Sequence, residues 1–278
     1  MRHAGLKARM AVVGSVLFAF YAFLALVAFA MGAGPVLIGI GTVLFVGFQY
    51  VVGKKVALWS VGAEDMPEDR YRGVHESVER LSDEMDLEKP RLMVAEMGVP
   101  NAFAVGRRGA GVVVVSTELM EALGRDELEA VLAHELAHID NRDVVTMVLG
   151  QSIASMLGLA VQFAILFTND RGIGNFLLAY VAGIVVQMVA MVFVLAISRY
   201  REYVADADAA RHVGGDAMAG ALRKIAAAGE RTDNDVSDNV SALCIFGGER
   251  SALEKVFATH PPIEKRIEAV QGVDREFY

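Results

Sequence analysis

Charge is missing from three long stretches of this 278-residue sequence. From Met10 to Gly53 there are 44 residues without one Asp, Glu, Lys or Arg. The same holds from Val144 to Asn169 and from Gly172 to Ser198. A helix on the surface of a soluble domain carries charge on its outer face, so these blocks argue against a chain that sits wholly in water. Cysteine is scarce too. Cys244 stands alone, which excludes an internal disulfide and fits a reducing, cytosolic setting for the soluble part. That residue reads as a small buried hydrophobe. Basic residues are outnumbered, 26 Lys plus Arg against 34 Asp plus Glu, for a formal charge of −8. Nucleic acid is therefore not the expected partner, because phosphate contacts need clustered Lys and Arg. There is no internal repeat and no low-complexity tract.

What is present in excess is apolar surface. The chain is 54% hydrophobic, against roughly 45–50% in ordinary soluble domains. A bilayer-spanning helix needs about 20 apolar residues. The first charge-free block therefore holds two helices, near 11–31 and 35–53, broken at Gly32-Ala33-Gly34-Pro35. The other two blocks form a second hairpin, with spans near 147–168 and 176–197 around Asp170 and Arg171. The first span is longer than the apolar segment of about 7–15 residues in a cleaved signal, and it runs straight into another span. Basic residues mark one side. Arg2, Lys7, Arg9, Lys54, Lys55, Arg142, Arg199 and Arg201 flank the outer ends of the hairpins, while the turns between spans carry only Arg171. The positive-inside rule then places both termini and the long soluble segments in the cytoplasm of a multi-pass cell-membrane protein.

Four regions follow: an N-terminal hairpin (1–55), a first soluble segment (56–146), a second hairpin (147–198) and a second soluble segment (199–278). Asp69 to Asp86 reads as an amphipathic helix with Val74, Val78 and Leu81 on one side. Arg91–Ala95, Asn101–Val105 and Gly111–Ser116 read as short strands. Thr117 to Ala122 is a helix. Another begins near Asp126, as N-cap or first-turn acid, and runs past His138. Beyond the fourth span, helix continues from Tyr200 to Val213, and Asp216 caps a further helix through Ala228. Residues 229–240 read as a polar loop, and a last helix follows Pro262.

His134-Glu135-Leu136-Ala137-His138 is an H-E-x-x-H pattern on a helical stretch. Histidines four apart share a helix face, so both rings can reach one Zn²⁺. Glu135 is placed to take a proton from an activated water and pass it to a leaving amine. A catalytic zinc usually has three protein ligands and an open position. Of the other histidines, His3 lies in the basic N-terminal tail, His75 in the first soluble helix and His212 late in the helix after span four. Glu202 is the better candidate, with Asp206 four residues on, on the same face. Spacing alone leaves open a solvated acid at a charged helix end.

The stretch His134 to Met147, together with Pro100-Asn101-Ala102-Phe103-Ala104, Arg201-Glu202-Tyr203-Val204-Ala205-Asp206 and Thr259-His260-Pro261-Pro262, resembles the HtpX family of membrane zinc metalloproteases. The motifs fall in the family's order, and with the two hairpins the likeness covers nearly the whole chain. It implies an α+β, mainly helical fold, with four transmembrane helices in two hairpins joined to a cytoplasmic zincin (gluzincin-like) metalloprotease domain with a small β-sheet. It implies one Zn²⁺ per subunit on His134, His138 and Glu202, with Asp206 orienting a ligand histidine. It makes His260 a candidate for steadying the oxyanion, although a histidine before two prolines equally suits a turn. Asn141 and Asp143, taken to lie on the helix beyond His138, read as structural. The implied partners are membrane-protein substrates, damaged or misfolded, and the lipid bilayer. The CAAX prenyl processing enzymes share the chemistry but have more spans. A transporter fits less well, since none of the four spans carries the ionisable residue that transport paths commonly need.

Two inferences combine these elements. His138 lies about nine residues before span three and Glu202 about five after span four. At about 1.5 Å per residue, the metal would sit on the order of 10 Å from the membrane surface. Asn101, Ala102, Phe103 and Ala104 are the candidate edge strand to which an extended substrate peptide would add.

Overall fold

The computed structural model describes residues 35–167, 173–232 and 260–276. The expected first span, Cys244 and most of the 229–250 segment lie outside the described residues. Helix α1 is Pro35–Ser60; a short strand β1 (Glu64–Asp65) and helix α2 (Arg72–Glu84) follow. Strands β2 (Arg91–Ala95), β3 (Ala102–Val105) and β4 (Val112–Ser116) lead to α3 (Thr117–Ala122) and α4 (Arg125–Asp140). The hairpin is α5 (Asp143–Leu166) and α6 (Ile173–Val213); α7 (Gly215–Thr232) and α8 (Ile263–Glu276) end the described chain.

The sheet order is β1-β2-β4-β3, with β2 and β4 parallel and the outer pairs antiparallel. β4 reads Val-Val-Val-Val-Ser, and all five residues are buried. A strand covered on both faces needs no polar alternation, which explains that unbroken run. One face of the sheet packs Leu92, Val113 and Val115 onto Val78 and Leu81 of α2 and Leu132, Leu136 and Ile139 of α4. The other face, Met93, Val112 and Val114, meets Leu58 and Val61 where α1 ends. Each fully buried valine contributes roughly 1.5–3 kcal/mol. Ser116 ties the turn after β4, its Oγ accepting from the N–H groups of Leu119 and Asn101 at 3.0 and 2.9 Å.

α4 starts at Gly124 rather than at an aspartate cap. The Gly124 N–H donates to Glu127 Oε2 at 2.7 Å, and Asp126 takes its place in the first turn. The helix stops at Asp140, a correction to the continuous helix expected through Asp143. Arg142 has φ 56°, a left-handed conformation that an α-helix cannot contain, and Asp143 opens α5 instead. At the far end, α7 runs on through Thr232, so residues 229–232 are helix rather than loop.

Among the described residues, α5 and α6 are long and apolar enough to cross a bilayer. They pack against each other, with Gly158 and Gly183 at the closest approach: a Cβ on Gly158 would lie 2.8 Å from the Gly183 carbonyl oxygen. Gln187 Nε2 donates across the pair to Ser155 Oγ at 3.3 Å. Their outer faces expose Ile153, Leu157, Phe176, Val185, Val189 and Phe193. α6 does not stop where its apolar half ends. It continues as one 41-residue helix, about 60 Å long, twice the hydrocarbon thickness of about 30 Å.

Candidate metal centre

α4 is packed among α2, β3, α6 and α7, so its central turns are buried all round, including His134 and Glu135. The polar half of α6 crosses it and brings Glu202 and Asp206, both buried, against the two histidines. α8 closes the site with Arg266, which is 1% exposed.

The geometry is specific. His134 Nε2 and His138 Nε2 face each other at 3.0 Å. Glu202 lies beside both, its Oε2 3.9 Å from His134 Nε2 and its Oε1 3.5 Å from His138 Nε2. Each ring is held at its far nitrogen. His134 Nδ1 meets Asp206 Oδ1 at 2.9 Å, and His138 Nδ1 meets Asp143 Oδ2 at 2.6 Å. An ionised carboxylate only accepts, so the bond to Asp143 places the His138 proton on Nδ1 and leaves a lone pair on its Nε2, whereas His134 Nδ1 lies close to Asp206 without lining up as a donor. Two Nε2 atoms and a carboxylate thus point into one buried space.

Arg266 organises the carboxylates. It donates from Nε and Nη2 to both oxygens of Asp206, each at 2.7 Å, while its Nη1 lies 3.0 Å from Glu202 Oε2. His260 Nδ1 lies 2.9 Å from the same Glu202 oxygen. That oxygen has two close nitrogen neighbours, but neither lines up as a hydrogen-bond donor. Burial pushes the Glu202 carboxyl up, yet His260, Arg266 and His138 outweigh it and hold the group well below the usual carboxylate range. The same contest, burial against Arg266 and His134, leaves Asp206 lowered. Arg266 is raised despite its own burial, by Asp206, Glu202 and the charge of Glu135. All three are ionised near neutral pH.

These residues fit a divalent cation. Nitrogen and oxygen ligands at about 2.0–2.2 Å from one ion must lie within about 4.4 Å of each other. The two Nε2 atoms at 3.0 Å meet that limit, and one ligand atom from each of His134, His138 and Glu202 lies within 4.8 Å of the other two. Charge agrees. Four buried carboxylates, Glu135, Asp143, Glu202 and Asp206, stand against two facing arginines, Arg201 and Arg266. The unaligned Glu202 Oε2 and the two facing Nε2 atoms are the atoms such an ion would satisfy.

Every residue named from the sequence for the metal is therefore at this point: His134, His138 and Glu202 together, and Asp206 behind His134. His260 is beside Glu202. Ala102, Phe103 and Ala104 form β3 at the sheet edge, whereas Asn101 precedes the strand and is buried against Ser116. Three participants were not assigned to the site from the sequence. Arginines are almost never fully buried unless paired, so Arg266 on a polar terminal helix gave no signal. Asp143 was read as a structural residue on the helix beyond His138, and Arg201 as a basic flank of the hairpin beside Glu202. The turn at Asn141-Arg142, which folds Asp143 back to His138, was the missing cue.

Comparison with known proteins agrees with this site. A family model described as "Peptidase family M48" matches residues 68–274. A "Protease HtpX homolog" of Halobacterium salinarum is 50% identical, over 95% of this chain and 100% of its own length. A "Protease HtpX homolog 2" of Methanosarcina mazei is 35% identical, over 99% of this chain and 97% of its own. The solved structure of S. mikatae Ste24p superposes with a TM-score of 0.63 at 18% identity, over 95% of this chain and 63% of that one, a likeness of fold. Matched by the family model over most of its length and by near full-length relatives, the chain belongs to peptidase family M48, among the HtpX-type membrane metalloproteases.

Proposed function

We propose that this peptidase is a zinc-dependent endopeptidase, acting at the cytoplasmic face of its membrane on damaged or misfolded membrane proteins. The observation that carries the reading is the convergence of His134, His138 and Glu202, with each ring braced by its own carboxylate. Two imidazoles and one carboxylate suit zinc among the divalent ions. When bound, the ion supplies Lewis acidity that activates a water and polarises the peptide carbonyl.

The protein's own residues do the rest. Glu135, buried one residue beyond His134, takes the proton from that water and hands it to the departing amine. Arg266 keeps Asp206 and Glu202 ionised and in place. With Nδ1 of His260 turned to Glu202, an oxyanion role falls to its Nε2. Substrate enters as an added strand on β3. The register pairs Ala102 with Val115, and one residue before it the Ser116 N–H donates to the Asn101 carbonyl at 2.8 Å. Alternation along an antiparallel pair then turns the N–H and C=O of Ala102 and Ala104 toward the open edge. The orientation rests on the basic residues that flank the hairpins, and the full set of four spans on the charge-free blocks.

The test is proteolysis by the purified full chain in detergent, against an unfolded membrane-protein substrate. Chelation should abolish cleavage and zinc should restore it. Cleavage by fully metal-stripped protein would contradict the proposal.

A further inference from the structure

His138 is braced from behind by two residues that the hairpin supplies. Its Nδ1 lies 2.6 Å from Oδ2 of Asp143, the first residue of α5. The second oxygen of Asp143 forms a close ion pair with Arg201, on α6 one residue before Glu202. Arg201 Nη2 also donates to the Asn141 carbonyl at 2.7 Å, where α4 ends. Arg142, held left-handed at φ 56°, makes the sharp turn that swings Asp143 back under the ring. Such a backbone is strained for a non-glycine residue. The surrounding contacts must therefore select it.

Three helices meet on one imidazole: α4 carries it, α5 carries its acceptor, and α6 carries the cation that fixes the acceptor. We propose that Asp143 and Arg201 are a positioning pair, setting the tautomer and the direction of His138 at the metal site. The proposal rests on the metal reading above and names two residues that the sequence motifs did not assign to it. Its logic is chemical. An ionised Asp143 can only accept, which keeps the proton on Nδ1 and a lone pair on the nitrogen that faces Glu202. Arg201 neutralises a carboxylate that is 7% exposed, and its bond to the α4 terminus fixes where that carboxylate points. An amide in place of Asp143 could instead donate to Nδ1, which would put the proton on Nε2 and block the ligand position.

The experiment uses the full chain in phospholipid nanodiscs, with D143N, R201M and the charge-keeping R201K. D208N serves as the control. Asp208 accepts from Asn141 at 3.2 Å in the same junction but is not a partner of His138. Zinc affinity is read by competition with a chromophoric chelator, and the His138 tautomer by nitrogen NMR of metal-free protein. D143N and R201M should weaken zinc binding about 10- to 100-fold and shift the ring toward the Nε2–H form. R201K should recover part of the loss. D208N should change the melting temperature alone. The pair has no positioning role if D143N and R201M keep wild-type affinity and the Nδ1–H ring, whatever happens to their melting temperature. If D143N does not fold, R201M against R201K carries the same comparison. If the wild type binds no zinc, the metal reading falls, and the metal-free tautomer alone decides the pair: a switch in D143N supports it and an unchanged ring overturns it.

Discussion

The two halves of α6 share one backbone and obey opposite rules. From Phe176 to Phe193 the helix exposes large apolar side chains, Phe193 being 69% exposed, as lipid contact requires. From Glu202 to Ala210 it buries its inward face, and that face includes Glu202 and Asp206. In the first half an apolar surface costs nothing because its surroundings are apolar. In the second, two carboxylates are taken out of water and offset by Arg266, His134 and His260. The polar half is therefore the one in which a single change carries a large penalty, because an unpaired buried charge is far costlier than a trimmed lipid-facing side chain.

That contrast can be broken or sharpened by substitution. The largest effect belongs to Glu135→Gln, which should lower kcat about 10²- to 10⁴-fold while zinc content and melting temperature stay at wild-type values. Surviving proteolysis would remove Glu135 from the chemistry. Next comes Arg266→Met, which strands Asp206 and Glu202. Chemical denaturation should show a loss of about 3–5 kcal/mol, whereas Phe193→Leu on the apolar half should stay within about 0.5 kcal/mol. Equal losses at the two sites would erase the distinction between the halves. Gly158→Leu tests the packed seam of the hairpin. Its Cβ would meet the Gly183 carbonyl oxygen at 2.8 Å, so the helices must separate at about 1–3 kcal/mol, visible as a lower melting temperature. The smallest effect is Ala104→Pro at the sheet edge. Losing one outward N–H should raise KM by about fivefold, the worth of a hydrogen bond near 1 kcal/mol, with zinc content unchanged. An unaltered KM would move the substrate elsewhere.

The sequence made the local parts of this arrangement legible. Histidines one turn apart on α4, a carboxylate pair one turn apart on α6, and the Val-rich β4 each announce themselves within a few residues. The helical blocks were readable because a bilayer demands an unbroken apolar run. What escaped is what depends on distant partners. Arg266 is 60 residues from Asp206 and 132 from His134, and only the packing of α8 onto α6 explains a guanidinium in the core. Asp143 was assigned to the wrong helix because nothing in Asn141-Arg142-Asp143 forces a left-handed turn. The ion pair with Arg201, 58 residues on, selects it. His260 was read as a turn or an oxyanion donor, and its nearness to Glu202 emerges only once Pro261 and Pro262 hand the chain into α8.

X-ray absorption at the zinc edge, on the purified full chain and on its Glu202→Gln variant, tests the central claim most directly. The account predicts one zinc per chain bound by two imidazoles and oxygen ligands, with metal lost or greatly weakened in the variant. Zinc held as tightly without the Glu202 carboxylate, or a coordination shell lacking two imidazoles, would contradict it.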